Sequence, residues 1–466
     1  ALTGTTLDHT QHLLSALARA NLTHLTTPGH YNQHDLLRDY ACELAAEPSH
    51  TGEASDALTR LLDHYLHTAA TAVNTLFPAE SHRRPRVRAP ATPIPPVTEP
   101  AAAQAWLDDR REALVQIVVY AAEHGWPRHA TELAATLARE LANGSHLTEA
   151  VTVHTCARRA AQQTGDRLAE AYALLSLGNV DVYQSRFRQA RDNLGLAAEL
   201  FHEAGDRNAE ARAVQELGSI GLQEGRYSDA VRDYEQAVIL FRETGDRTGE
   251  ARSLGNIVLV TLHQGRYQQA AERNERFLAL CQQTGDVIAE AYGWHNLGLI
   301  EHRQGRHAAA VGHYQQALAL FWQTGHVAGE AYTLADLGDA CLGAGRLTEA
   351  VRHHRRSLTL FRQTGTRAGE AAARNGLGED QFAAGRPDRA RLQHDTALGL
   401  AREVGDRSEW ARAHDGLGRA CQALGDPGQA RQHWTEALAL YTGIGDPEAS
   451  KVAGRLAALK LDQQID

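Results

Sequence analysis

From Trp106 to the C-terminus apolar residues recur at helical spacing, and the pattern repeats on itself. A glycine returns every 40 residues, at Gly165, Gly205, Gly245, Gly285, Gly325, Gly365, Gly405 and Gly445. Other pairs travel in register with it: Glu210-Ala211, then Leu217-Gly218, then Gly225-Arg226, then Ala230, each with copies along the chain. A strict period in this range specifies stacked repeats, each too small to bury its own apolar surface.

One repeat, residues 205–244, explains the pattern. Gly205 can close the preceding helix in a left-handed conformation, Asp206 can cap the next one, and Glu210 suits its positive end. The spacing predicts a helix A ending near Glu224, a turn at Gly225 and a helix B from Tyr227 to Thr244. Each is roughly 17 residues, about 25 Å long. Val214, Leu217, Gly218 and Gly221 share one face of helix A, where glycine admits a close neighbour. The predicted architecture is an all-α array of paired helices stacked as a right-handed superhelix, unbroken by strands between 130 and 460.

The N-terminal part reads differently. Leu7, Leu13, Leu14 and Leu17 have helical spacing; two strand-like runs then flank Thr27-Pro28-Gly29, and a second helix follows from His34. Helix, hairpin, helix is the pattern that ends a winged-helix domain. The organisation expected is 1–45 as that remnant, 46–77 as a helical segment and 78–100 as a linker or extended surface segment. A helical lead-in with one degenerate repeat covers 101–166, seven repeats 167–446, and a capping helix 447–466. Seven prolines between Pro78 and Pro100, interleaved with Arg83, Arg84, Arg86 and Arg88, exclude helix there.

Composition narrows the function. Net charge is −10, and Lys451 and Lys460 are the two lysines, so no basic stripe suits nucleic acid. Five scattered cysteines, never spaced C-x-x-C, fit buried thiols of a reducing cytosol. Neither a membrane-length apolar run nor a signal peptide is visible. Methionine is absent and Ala1 opens in mid-pattern, so the chain is expected to be a piece of a longer one. Phosphate-loop, H-E-x-x-H, G-x-S-x-G and dinucleotide motifs are all missing, so no enzyme, metal or cofactor is expected in this segment. His30 with His34, and His353-His354, lack carboxylate or cysteine partners at ligand spacing.

Leu217-Gly218, Ala230 and Ala237 fall at the spacing of the tetratricopeptide repeat, and the six extra residues per repeat resemble those of LGN-type spindle-orientation scaffolds. Ile257-Val258 replaces Leu-Gly in one repeat, and Phe277 and Ser357 replace the second alanine. The resemblance implies a concave face lined by the A helices. Counted from the alanine of Glu-Ala, its positions are Tyr172, Asn179 and Tyr183; Arg212 and Gln215; Arg252 and His263; Tyr292, His295 and Arg303. They continue with Tyr332 and Asp339; Asn375 and Glu379; Arg412, Asp415 and Arg419. A groove graded from basic to acidic suits an extended protein or peptide segment. Arg212, Arg252, Tyr292, His295 and Tyr332 are expected to form one connected patch.

Tyr31-Asn32-Gln33-His34-Asp35 resembles the His-Asp motif of NB-ARC signal-transduction NTPases, although Gln33 stands where that motif has methionine. The resemblance gives His34 and Asp35 a nucleotide-sensing role, with ADP or ATP bound in a missing upstream NB-ARC domain. A helix start with Asp35 in its first turn is the alternative. HDLLRDYA, LLDHYLHTAA (61–70) and AWLDDRREALV (105–115) before the repeats resemble the C-terminal half of Streptomyces antibiotic regulatory protein (SARP)-type transcription regulators. This implies a cytoplasmic regulatory sensor array whose groove takes a protein, a peptide or its own upstream domains, with homo-oligomerisation left open. The alternatives are a stand-alone peptide receptor or scaffold, and the accessory array of a repeat-linked protease.

Overall fold

The computed structural model describes residues 1–462 except 28, 29, 48, 79, 80, 82, 83, 144, 145 and 185. It divides into two compact units, Ala1–Asp206 and Arg207–Asp466. Pro28, Gly29 and Arg83, named above as turn and linker residues, lie outside the described residues.

In the first unit α1 (Leu7–Arg19) leads to an antiparallel hairpin, β1 (His24–Thr27) and β2 (His30–Asn32), then to α2 (Asp35–Ala46) and α3 (Thr51–Leu76). The helix–hairpin–helix order matches the sequence pattern. Five helices complete the unit's sequence: α4 (Pro100–Glu123), α5 (Pro127–Asn143), α6 (Leu147–Thr164), α7 (Arg167–Tyr183) and α8 (Phe187–Ala204) follow α3. Their core holds Leu62, Leu66, Leu107, Leu114, Val118, Leu133 and Leu137. The proline-rich stretch is anchored to this core as an extended strap. Val97 is buried, its carbonyl accepts from Thr75 Oγ1 at 3.0 Å, and Arg84 donates to Asn74 at 2.6 Å.

The second unit holds six hairpins and a cap: α9 (Arg207–Gln223), α10 (Tyr227–Thr244), α11 (Arg247–His263), α12 (Tyr267–Thr284), α13 (Val287–Arg303), α14 (His307–Thr324), α15 (Val327–Gly343), α16 (Leu347–Thr364), α17 (Arg367–Ala383), α18 (Pro387–Val404), α19 (Arg407–Ala423), α20 (Pro427–Gly443) and α21 (Glu448–Asp462). Among the described residues no strand occurs outside β1 and β2. The period is made by local chemistry. The glycines at Gly245, Gly285, Gly325, Gly365 and Gly405 sit at φ between 64° and 74°, a left-handed cap that other residues resist. Asp246, Asp286 and Asp406 then accept backbone N–H groups of the next helix, and His326 does the same through Nδ1 at 3.0 Å.

The Leu-Gly glycine is a notch for a helix B side chain. Tyr234 fills it at Gly218, Tyr314 at Gly298, His354 at Gly338, His394 at Gly378 and Trp434 at Gly418. Val258 occupies the notch of its own repeat, and the facing residue there is the short Asn274, which donates to Gly293 O at 2.9 Å. Phe277, in place of the second alanine, rests against Gly255. Ser357 donates to the Ala331 carbonyl at 2.8 Å. Each departure from the pattern is thus met by a compensating neighbour.

Consecutive A helices (α9, α11, α13, α15, α17, α19) touch one another along the series as well as their own B helices, so they line the tighter, inner side. The curvature is strong enough for the array to meet itself. The Tyr227 hydroxyl at the start of α10 donates to Ile444 O at 2.8 Å, 217 residues away, and Gly265 lies against Pro447.

Candidate functional site

The inner face of the second unit has two halves of opposite character. On α15, α17 and α19 the charged groups are consumed by one another. Arg412 reaches past α17 to Asp339, with its Nη2 at 2.7 and 2.8 Å from the two carboxylate oxygens. Arg419 pairs with Glu379, and Arg455 of α21 with Asp415 at 2.5 Å. These groups keep part of their surface in water while protein surrounds them on most sides, as in a narrow groove.

Behind this lattice, on α16, lies His354, fully buried. Its Nδ1 is 2.7 Å from Asp380, also fully buried, and its Nε2 is 3.3 Å from Asp339. Burial alone would drive the imidazole toward neutrality, but the two carboxylates outweigh it and hold its pKa up to about 9. Asp339 is held well below the usual carboxylate range, burial being overcome by Arg412 and His354. Asp380 is pushed up by its burial, so the pair grips its proton tightly.

His394 occupies the same position one repeat later. Its Nδ1 lies 3.0 Å from Asn375 Oδ1, and the nearest carboxylate, on Glu379, is 3.8 Å from its Nε2. Burial pushes this imidazole down to about 4, so it is neutral near pH 7.

The half formed by α11, α13 and the start of α15 remains open. Tyr292 is 39% and Tyr332 41% exposed, and each stands edge-on to a phenylalanine of its helix B: Phe321 at 5.0 Å and Phe361 at 4.7 Å. Those contacts fix the rings while leaving one side of each in solvent. Arg252 and Arg303 are exposed and form no ion pair among the described residues. Arg212 on α9 is half-buried, and its charge and that of Arg252 both act on Glu216, whose carboxyl is raised by burial.

Three positions counted as open from the sequence are filled. Gln215 is buried at 2% exposure. Asn375 is fully buried, donating to Glu409 O and Oε2 at 3.0 and 2.8 Å. His295, 9% exposed, has Nδ1 at 3.0 Å from Thr333 Oγ1 and Nε2 at 3.2 Å from Asp336. The expected patch therefore lacks His295, because the close approach of α13 to α15 turns its ring into the interface. Burial pushes His295 down to about 4, and burial together with Asp339 pushes Asp336 up to about 7. Thr333, His295 and Asp336 have the composition of a nucleophilic triad, but the Thr333 hydroxyl is fully buried and no substrate carbonyl can reach it. Among the arginines and acids of the C-terminal half, Asp339, Glu379 and Arg412 lie on the inner face and are bound to one another or to Arg419, as above.

In the first unit Tyr172 donates to Asp206 at 2.6 Å and meets Phe201 edge-on at 4.9 Å, while Asn179 is half-buried with a buried Oδ1 that has no partner. His34 caps α2: its Nδ1 accepts from Leu36 N at 3.4 Å, and Asp35 pairs with Arg38 at 3.0 Å. The side chain of His30 lies outside the described residues. His353 instead neighbours Cys341 and Glu349 at distances a metal could bridge, but Arg346 already holds both oxygens of Glu349, at 2.7 and 2.6 Å.

Sequence reasoning weighed His354 only as a metal candidate beside His353 and passed over His394, although both stand in the 40-residue phase of Tyr234 and Tyr314 and so carried a signal. It also missed the contact of Tyr227 with Ile444, which no local pattern encodes.

The tetratricopeptide repeat model matches residues 209–283, 287–363 and 369–443. The chain is 31% identical over 194 residues to the Regulatory protein AfsR of Streptomyces griseus, an alignment covering 40% of this chain and 19% of that protein. It thus spans about a fifth of the curated relative it matches. Among solved structures, the Signal Transduction ATPase with Numerous Domains (STAND) protein PH0952 of Pyrococcus horikoshii, which has a tetratricopeptide repeat sensor, superposes with TM-score 0.54 at 15% identity, over 95% of this chain and 59% of that one. The Rap conjugation gene regulator of plasmid pLS20, in complex with the Phr* peptide, gives TM-score 0.55 at 13% identity, over 73% and 96%. No helix among the described residues is long and apolar enough to cross a membrane. Repeat model, helix order and solved neighbours agree that the fold is an all-α tetratricopeptide-repeat array.

Proposed function

We propose that this chain is the regulatory sensor array of a larger SARP-type bacterial transcription regulator, and that it works by binding a protein or peptide rather than by catalysis. The observation that carries the reading is the alignment with Regulatory protein AfsR, which runs over 194 residues of a chain otherwise built for interaction. The fold likeness to a STAND protein with a repeat sensor is consistent with it. So is the likeness to a Rap regulator solved with a peptide.

In this reading the open stretch of α11, α13 and α15 takes the partner, which is a separate protein, a peptide or the protein's own upstream domains. Residues 1–45 end a winged helix, and His34, exposed at the start of α2, faces the phosphates of ADP or ATP held by an upstream NB-ARC module. Nucleotide binds there and not to this segment, the segment makes no nucleic-acid contact, and the protein is cytoplasmic.

The coding sequence preceding Ala1 tests the assignment. A G-x-x-x-x-G-K-[ST] loop on a strand–helix junction supports it. An upstream region without a nucleotide-binding domain would defeat it, and micromolar ATP binding by this segment alone would defeat the division of labour.

A further inference from the structure

The inner face distributes its charge unevenly. On the C-terminal half Asp339, Glu379 and Asp415 are each matched by an arginine, and Asp380 by His354. That half offers a ligand little net charge. On the open half two exposed guanidiniums, Arg252 and Arg303, stand on consecutive A helices without an ion pair among the described residues. Two acids feel their charge. Glu216, acted on by both Arg212 and Arg252, has its carboxyl raised by burial, and Asp336, acted on by Arg303, is engaged by His295. Tyr292 and Tyr332, braced by Phe321 and Phe361, border the same stretch. Fixed aromatic rings and exposed guanidiniums on one face are the residue types that dominate binding energy at interfaces.

The inner wall is continuous across repeats. Arg412 spans from α19 to Asp339 on α15, so side chains two repeats apart meet along it. A ligand laid along consecutive A helices is an extended chain.

Resting on the peptide-binding reading above, we infer that the occupant is an extended acidic segment of a protein or peptide. Its carboxylates lie on Arg252 and Arg303 and its apolar side chains on Tyr292 and Tyr332, while α15–α19 serve as a charge-neutral rib. Guanidinium–carboxylate pairing in a partly enclosed groove supplies affinity and register together.

The test uses the full chain and two fluorescein-labelled peptides of equal length, one alternating Glu with Gly and Tyr, the other Lys with Gly and Tyr. Fluorescence anisotropy at low and high salt reads their binding, and a photo-cross-linker placed at Tyr292 or Tyr332 reads their position. The acidic peptide should bind and weaken with salt. It should lose roughly tenfold or more in affinity in the Arg252→Glu, Arg303→Glu double variant, with the melting curve unchanged. Stronger binding of the basic peptide, or unaltered affinity in the double variant, overturns the acidic preference; cross-linking at Tyr292 would then still uphold the groove. Cross-linking of neither peptide at either tyrosine overturns the groove reading itself. Binding of a phosphorylated peptide but not its glutamate counterpart overturns the inference in favour of phosphate recognition.

Discussion

His354 and His394 are 40 residues apart, occupy the same turn of successive B helices and press into the equivalent glycine notch, yet one is charged near pH 7 and the other neutral. The difference comes from the carboxylates around each ring. His354 lies 3.3 Å from Asp339 and 2.7 Å from Asp380 of α17, whereas His394 has Glu379 at 3.8 Å and Ala420 in the phase of Asp380. Two carboxylates hold a buried ring as an imidazolium and complete a charged rib running from Asp380 through His354 and Asp339 to Arg412. On α11 and α13, by contrast, Arg252 and Arg303 are exposed and form no ion pair among the described residues. A repeat scaffold can thus commit one part of its inner face to stability and leave another for recognition, by changing a few side chains on an unchanged backbone.

The largest effect should come from breaking the rib. His354→Leu leaves two carboxylates without their shared cation, one of them fully buried, and should cost about 3–5 kcal/mol in urea unfolding at pH 7. His394→Leu loses one neutral hydrogen bond and should cost about 1 kcal/mol. Equal losses would erase the distinction between the two repeats.

Proton linkage sharpens the same contrast. The pKa of His354 is higher folded, about 9, than its unfolded value of 6.5. Its stabilisation is therefore complete below pH 6.5 and is lost as pH rises through 9, a decline on the order of 1–3 kcal/mol. His394 titrates in the other direction: neutral in the fold, with a pKa of about 4, it loses stability as pH falls from 6.5 toward 4. His154, His295, His302 and His414, all depressed to about 4 chiefly by burial, add to that acid limb. Unfolding free energies across this range should show an alkaline limb in the parent that vanishes in His354→Leu. An alkaline limb that persists would mean the imidazolium is not at His354.

What the sequence made legible was whatever a single turn of chain determines. Gly245 and Asp246 specify a helix end and a helix start through their own backbone geometry, so period, helix bounds and the absence of strands in the array follow directly. The fate of the inner face was not legible in the same way. Arg412 and Asp339 stand 73 residues apart and meet because of curvature summed over two repeats. His295 and Asn375 are polar residues at positions that a repeat pattern leaves open, and only the approach of α15 and α19 closes over them. Charge grading along the groove was readable as composition, but which charges cancel was not.

A smaller effect tests how the second unit closes. Tyr227→Phe deletes the hydroxyl that donates to Ile444 O and keeps the ring that stacks near His263 at 5.9 Å. A loss of about 1 kcal/mol is expected, together with a larger radius of gyration in solution scattering. A smaller loss with unchanged dimensions would show that the ends of the array hold together through Gly265 and Pro447 instead.

The smallest effect on stability belongs to the open half, and it is the one that separates recognition from architecture. Arg252 lies on α11 at the position that Arg412 holds on α19, the residue after the alanine of the repeat. Arg412 is bound in the lattice, and replacing it by alanine strands Asp339 beside Asp336, so several kcal/mol should be lost. Arg252 is exposed and forms no ion pair among the described residues. Arg252→Glu should therefore shift unfolding by about 0.5 kcal/mol or less, measured by thermal melting at neutral pH. The same substitution should weaken an acidic partner by roughly 1–3 kcal/mol, since it removes a charge-assisted contact and adds a repulsive one. Residues at the same phase of two different repeats would then differ in role, Arg412 costly to the fold and Arg252 costly to the partner. A large drop in melting temperature for Arg252→Glu would place α11 in the rib as well, and the inner face would be structural along its whole length.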